Sequence, residues 1–120
     1  MSGRARPPED IAPVDFFTRW IISAVNGDEE RRARLGDTDA VIEFELTGEG
    51  GGLFTVKIAE GKVAGAVGRA QRADLHVVVD VDTWRALNRG DLSAPEALLR
   101  RRVKLSGSFL LGLKLHVILG

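Results

Sequence analysis

Two hydrophobic periods take turns along this chain. From Pro13 onward, Phe16, Phe17, Trp20, Ile21 and Ala24 recur three and four residues apart, which lines one face of an α-helix. Pro13 suits the first turn of that helix, where its missing N–H goes unmissed, and Asn26-Gly27 suits its end. A second short helix is expected over 28–35, capped by Asp28 and ended by Gly36. The period then changes to two. Ile42, Phe44 and Leu46 alternate with Glu43, Glu45 and Thr47, and Phe54, Val56 and Ile58 alternate beyond the turn Gly48-Glu49-Gly50-Gly51-Gly52. Gly61-Lys62 turns the chain into a weaker third strand at about 63–67, and Leu75, Val77, Val79 and Val81 share one face of a fourth. Glycine turns between such strands predict an antiparallel meander.

Helical signals return with Asp82, which suits the cap of a helix through Arg89, with Trp84 and Leu87 inward and Gly90 as its stop. Ser93-Ala94-Pro95-Glu96 has the form of a capping box with proline near the helix start, and predicts a helix through Arg102. Val103-Lys104-Leu105 reads as a last strand, Ser106-Gly107-Ser108 as a turn, and FLLGLKLHVILG as a last helix. The order ααββββααβα, with a single sheet covered on one side by helices, is an α+β domain. Residues 1–12, with two adjacent prolines and mixed charge, read as a flexible N-terminal segment ahead of a domain over 13–120.

The last helix poses the main question. Lys114 and His116 lie two residues apart and so point to nearly opposite sides, with leucine, isoleucine and valine filling both flanks. A helix resting on its own core should show a wide polar stripe, and this one has none. Twelve residues are too few to cross a bilayer, which takes about 20. Three readings stand: a core helix buried all round, a lid over an apolar ligand cavity, or a seam with a second subunit.

Composition narrows the function classes. A chain of 120 residues is one ordinary domain, able to fold without disulfides or metal. Lys plus Arg equals Asp plus Glu at 17 each, so the basic surplus of a nucleic-acid binder is missing and no nucleic-acid partner is expected. The one basic run, Arg100-Arg101-Arg102, reads as a solvated helix end favoured by the helix dipole. There is no cysteine, hence no disulfide, thiolate metal site or thiol nucleophile. Acidic residues and prolines occupy the positions where a leader's apolar core would sit, so a cytoplasmic protein that is not an integral membrane protein is expected.

Several of the residues above resemble the sterol-carrier-protein family of lipid-binding domains. The likeness rests on FELTGEGGGLFTV, Gly61, Asp74-Leu75-His76-Val77, TWRALNRGDLSAPEALL and KLSGS with its apolar tail, in that order. Arg101 stands where the family often has glycine, and Ser108 where it often has aspartate. The resemblance implies a mostly antiparallel five-stranded sheet covered on one face by about five helices, with an apolar tunnel between them. It implies an apolar lipid ligand, such as a sterol or a fatty acyl chain, held for transport or for presentation to an enzyme. It also favours the lid reading of the last helix. The inward helix positions of such a fold are Phe17, Trp20, Ile21, Trp84, Leu87, Leu98, Leu110, Leu113 and Val117, which are the expected lipid-lining residues. Lys114 can lay its stem along apolar surface and offer its ammonium to a headgroup at the tunnel mouth.

No catalytic set is expected, and no cofactor or metal. A strand follows GEGGG, whereas a phosphate loop needs a helix there to supply its dipole. His76 shares a strand face with Asp74 and Asp80, opposite the apolar set, and reads as an exposed histidine; the second histidine is forty residues away on the tail. His116 has no cysteine or serine elbow to activate. The rivals to a lipid carrier are an interaction module that homodimerises through its last helix, and an accessory subunit presenting a lipophilic substrate to an enzyme.

Overall fold

A computed structural model describes residues 6–119, with side chains through Leu115. Residues 1–5 of the N-terminal segment, and the side chains of His116 and Val117, lie outside the described residues.

The first helix, α1, runs over residues 13–26, but not as a uniform α-helix. Pro13–Asp15 and Ile21–Asn26 are α-helical, and Phe16–Trp20 between them forms a π turn. A π turn holds one extra residue, so the inward positions beyond it move along by one. Val25, not Ala24, is therefore the last fully buried position, after Phe16, Phe17 and Ile21. The carbonyl oxygen of Phe17 lies where a Cβ of Gly65 would have to sit, so glycine there lets α1 rest directly on the sheet. The next helix, α2, spans Glu29–Leu35, with the Asp28 carboxylate accepting hydrogen bonds from the Glu30 and Arg31 N–H groups and Gly36 at its end in the left-handed region (φ 56°).

The sheet comprises β1 (Ala40–Thr47), β2 (Gly52–Ala59), β3 (Lys62–Val67), β4 (Leu75–Asp80) and β5 (Val103–Gly107), in the order β3-β2-β1-β4-β5. The first three are the expected antiparallel meander, with Phe44 opposite Phe54 and Phe54 opposite Val67. The fourth does not continue it. The chain passes from β3 at one edge to β4 beside β1, and β4 pairs with β1 in parallel, Glu43 level with His76. Residues 68–74 make that passage beneath the sheet, where the Ala70 N–H reaches the Glu43 carboxylate. The remaining pairing, β4 with β5, is antiparallel, so the sheet is mostly antiparallel with one parallel pair.

Two further helix boundaries differ from those expected. Asp80, not Asp82, caps α3 (Val81–Arg89) by accepting from the Thr83 N–H and hydroxyl, so Val81 opens the helix instead of closing the strand. Helix α4 (Ala94–Leu99) is capped by Ser93 as expected but stops short of Arg102, because Arg101 turns into the left-handed region at φ 58°. The basic run thus lies beyond the helix; Arg100 still pairs with Glu96 at 2.8 Å, one turn back. The last helix, α5, covers Phe109–Leu119.

The five helices lie over one face, with α1 on β2 and β3, α3 on β4 and β1, and α5 on β4 and β5 and against α2. Between them and the sheet lies an aromatic core. Phe17 stacks on Phe54 at 4.7 Å and tilts onto Phe44 at 4.8 Å, while Phe16 meets Trp84 edge-on at 5.3 Å. Each such side chain contributes roughly 1.5–3 kcal/mol by leaving water. The N-terminal segment is held against α3: Arg85 lies over the Trp84 ring and its Nη1 donates to the Glu9 and Ile11 carbonyls at 3.1 and 3.0 Å.

Candidate functional site

The site begins where β5 ends. Gly107 sits so close to the Asp74 carbonyl that no Cβ fits, and at φ 104° it adopts a backbone that side chains disfavour. The chain turns there, Ser108 N–H donates to the Asp74 carbonyl at 2.9 Å, and the Ser108 hydroxyl accepts from the Leu111 N–H, starting α5. The helix then crosses the sheet end formed by Ala40, Leu75 and Gly107. It touches down through Leu111 and Leu115, both buried, and through Gly112, whose missing Cβ would come within 3.2 Å of Leu105 and 3.8 Å of Leu75.

The described side chains of this helix are left largely in water on so small a footprint. Phe109, Leu110 and Leu113 are 59, 78 and 48% exposed. Of the three readings of this helix, burial all round does not hold for its described part, which has an apolar outer face: Leu110 and Leu113 point outward while Leu111 and Leu115 point in.

Beside α5 runs a groove of about 320 Å³, lined by Thr38, Asp39, Ala40, Asp74, Ser108, Leu110, Leu111 and Lys114. Ala40 and Leu111 are its buried, apolar parts. Around them stand polar groups from three loops and α5. The Lys114 Nζ donates to the Thr38 hydroxyl at 2.7 Å, and the Asp74 carboxylate accepts from the Val41 N–H at 2.8 Å through one oxygen. Among the described residues Lys114 makes no ion pair, although Asp39 and Asp74 are among the residues that line its groove.

The expected lining residues fall into separate places. Phe17, Ile21 and Trp84 lie together in the packed core, with Trp20 half-buried and stacked on Phe16 at 5.2 Å. Leu87 and Leu98 are half-buried on α3 and α4. Leu110 and Lys114 line the groove, and Leu113 lies on the outer face of α5. The sequence reading noted Asp74 beside His76 and Ser108 in a turn but assigned neither of them, nor Thr38 or Asp39, to a site, since isolated polar residues at strand ends have no periodicity to mark them.

The other face of the sheet carries a polar cluster. His76 is exposed, as expected, yet its Nδ1 lies 3.3 Å from Glu43, whose side chain is only 5% exposed. Glu43 also accepts from Arg69 Nη1 at 3.2 Å and from the Ala70 N–H at 3.1 Å. These contacts clamp the crossing segment to β1. The Asp80 carboxyl is held below the ordinary carboxylate range: burial raises it, but the Thr83 hydroxyl and N–H bonds, with the nearby Arg102 charge, outweigh that effect. Among the described residues no three metal-binding side chains converge, and no helix is long and apolar enough to cross a membrane.

Comparison with known proteins bears on this geometry. The chain is similar in fold to the sterol carrier protein domain 2 of Helicoverpa armigera, at 20% identity and a TM-score of 0.71, covering 94% of this chain and 89% of that one. It is also similar to palmitated SCP2L2 of Aedes aegypti, at 25% identity and a TM-score of 0.60, covering 75% of this chain and 88% of that one. A third likeness is to the inverting sec-alkylsulfatase from Pseudomonas sp., at 20% identity and a TM-score of 0.59; it covers 72% of this chain but spans only 13% of the enzyme. No curated protein sequence matches the chain significantly. The SCP-2 sterol transfer family matches residues 21–120, from the first residue after the π turn through α5, and the chain belongs to that family.

Proposed function

We propose that the domain carries a lipid, with α5 as the movable cover of its binding site. The observation that supports this most is the footing of α5: two buried leucines and a glycine on Leu75 and Leu105, next to a groove with an apolar floor. Such a helix can lift at modest cost, because few of its described side chains leave water when it docks. Lifting it opens Leu75, Leu105, Leu111 and Leu115 to an acyl chain, which gains about 25 cal/mol for each Å² of apolar area it buries. In this reading Phe17, Trp20, Ile21 and Trp84 are the deeper side chains that such a chain would reach, and Leu110 and Leu113 lie on the outer side of the cover. Membership of the family supports this reading, as does the palmitated state of the Aedes aegypti protein. We assign no reaction to the domain.

Native mass spectrometry of the freshly purified protein, followed by solvent extraction, tests the proposal. A lipid adduct, or uptake of an added fluorescent fatty acid, is expected. A clean monomer mass with no uptake would overturn it. The exposure of Phe109, Leu110 and Leu113 favours a second reading, a homodimer seam along α5. A clean dimer mass that disappears in Leu110→Asp would support that reading. Service as an accessory subunit to an enzyme would use the same lipid site.

A further inference from the structure

We infer that the outer edge of β5 docks an extended acidic segment of a partner protein, which joins the five-stranded sheet as a further strand. The inference stands apart from the lipid-carrier reading and rests on how differently the two sheet edges are finished. At the β3 edge the Asn26 carboxamide takes the place of a neighbouring strand. It donates to the Val63 carbonyl at 3.0 Å and accepts from the Val63 N–H at 2.9 Å. The Phe17 carbonyl covers Gly65 two residues further on, and α1 packs along the strand. That edge is blocked at Val63 and Gly65. The other edge is not. β5 has β4 on one side and no strand on the other, and among the described residues no side chain or loop bonds to its backbone as Asn26 does to β3. Lys104, Ser106 and Gly107 are exposed. Such an edge presents N–H and C=O groups ready to pair with another chain.

The surroundings of the edge select its occupant. From Ala97 onward the sequence holds five cations, Arg100, Arg101, Arg102, Lys104 and Lys114, and no Asp or Glu, in a chain of zero formal net charge. Arg100 is engaged with Glu96, but among the described residues Arg101, Arg102 and Lys104 make no ion pair. Leu99, 86% exposed, stands before the strand and Phe109, 59% exposed, stands after it. A second copy of the chain would set this cationic sector against itself. An anionic membrane surface would take the charges and the apolar side chains but offers no row of backbone groups to a strand. An acidic extended peptide meets all three demands: main-chain bonds along β5, carboxylates for Lys104 and the arginines, and apolar side chains for Leu99 and Phe109.

The test is fluorescence anisotropy of the full chain with three labelled peptides: an alternating Glu-Val hexapeptide, its Lys-Val counterpart, and an N-methylated Glu-Val form that keeps the charge but lacks the main-chain donors. The Glu-Val peptide should bind with a Kd below about 1 mM. It should bind at least about tenfold more tightly than either of the others. Lys104→Glu, at an exposed position, should weaken it at least about fivefold and favour the Lys-Val peptide. Bound Glu-Val peptide should slow amide hydrogen exchange over residues 103–107. Equal affinity for the three peptides, binding that leaves the β5 amides unslowed, or no binding of the Glu-Val peptide would overturn the assignment. A dimer of the free chain that protects those amides would give the edge to a second copy instead. Binding to phosphatidylglycerol vesicles but not to the peptide would give the sector to a membrane surface. Either result also overturns it.

Discussion

Glu43 shows how much one side chain can hold. It lies on the solvent side of a strand by alternation, yet three donors converge on it from a loop and a neighbouring strand. Removing it leaves the Ala70 N–H without its acceptor, so Glu43→Ala should cost roughly 1–3 kcal/mol in urea unfolding. An unchanged midpoint would mean that the crossing segment is held by other contacts. Asp80 makes a different prediction. Its lowered pKa means that the unfolded chain takes up the proton first as pH falls. The stability it contributes is complete above the ordinary value of 3.8 and is lost as pH drops through the lower folded value. Asparagine caps helices equally well, so Asp80→Asn should match the parent at neutral pH and show a flatter loss in acid. At this scale local signals were readable: Asp28, Ser93 and Gly90 do what their positions suggest. The choice of Asp80 over Asp82 was not, because it depends on where β4 stops, and tertiary pairing with β1 decides that.

Among the elements, α5 is the one whose helical period was visible and whose orientation was not. A run that is apolar on every side carries no phase, so nothing in it distinguishes Leu111 from Leu110. The contact of Gly112 with Leu105 and Leu75 decides the matter, and it joins residues far apart in sequence. The two leucines should therefore respond differently. Leu111→Ala should destabilise by at least about 2 kcal/mol. Leu113→Ala, at 48% exposure, should stay within roughly 0.5 kcal/mol while still altering lipid exchange if α5 is the cover. Equal stability losses in both would mean that α5 packs in some other orientation. The polar groove was invisible for a similar reason, since it draws on residues 38–40, 74 and 108–114, which no local pattern links.

For the whole molecule, the α+β class and the sequence of elements followed from periodicity, but the order of strands did not. Alternation assigns faces, not neighbours, and glycine turns imply hairpins even where the chain instead crosses beneath the sheet. The resulting order sets β1 in the middle, hydrogen-bonded to β2 on one side and β4 on the other. Amide hydrogen exchange should follow that layout. The β1 amides should be the slowest and those of α5 among the fastest of the ordered elements, with bound lipid slowing α5 selectively. Protection of α5 equal to that of β1 without ligand would contradict a cover that lifts.

The π turn in α1 has a consequence for how the start of the chain is aimed. A stretch of helix holding one surplus residue works like a half-step in a staircase: the flights above and below it face different ways. Deleting Thr18 would restore ordinary winding and swing residues 13–16 by about 100° relative to Ile21 and Val25, taking Phe16 away from Trp84. The family match begins at residue 21, just below the step. Above it, Phe16 and Phe17 still reach the core, and the segment before them is strapped by Arg85. The surplus residue is thus the joint that lets both flights meet the same core at different angles.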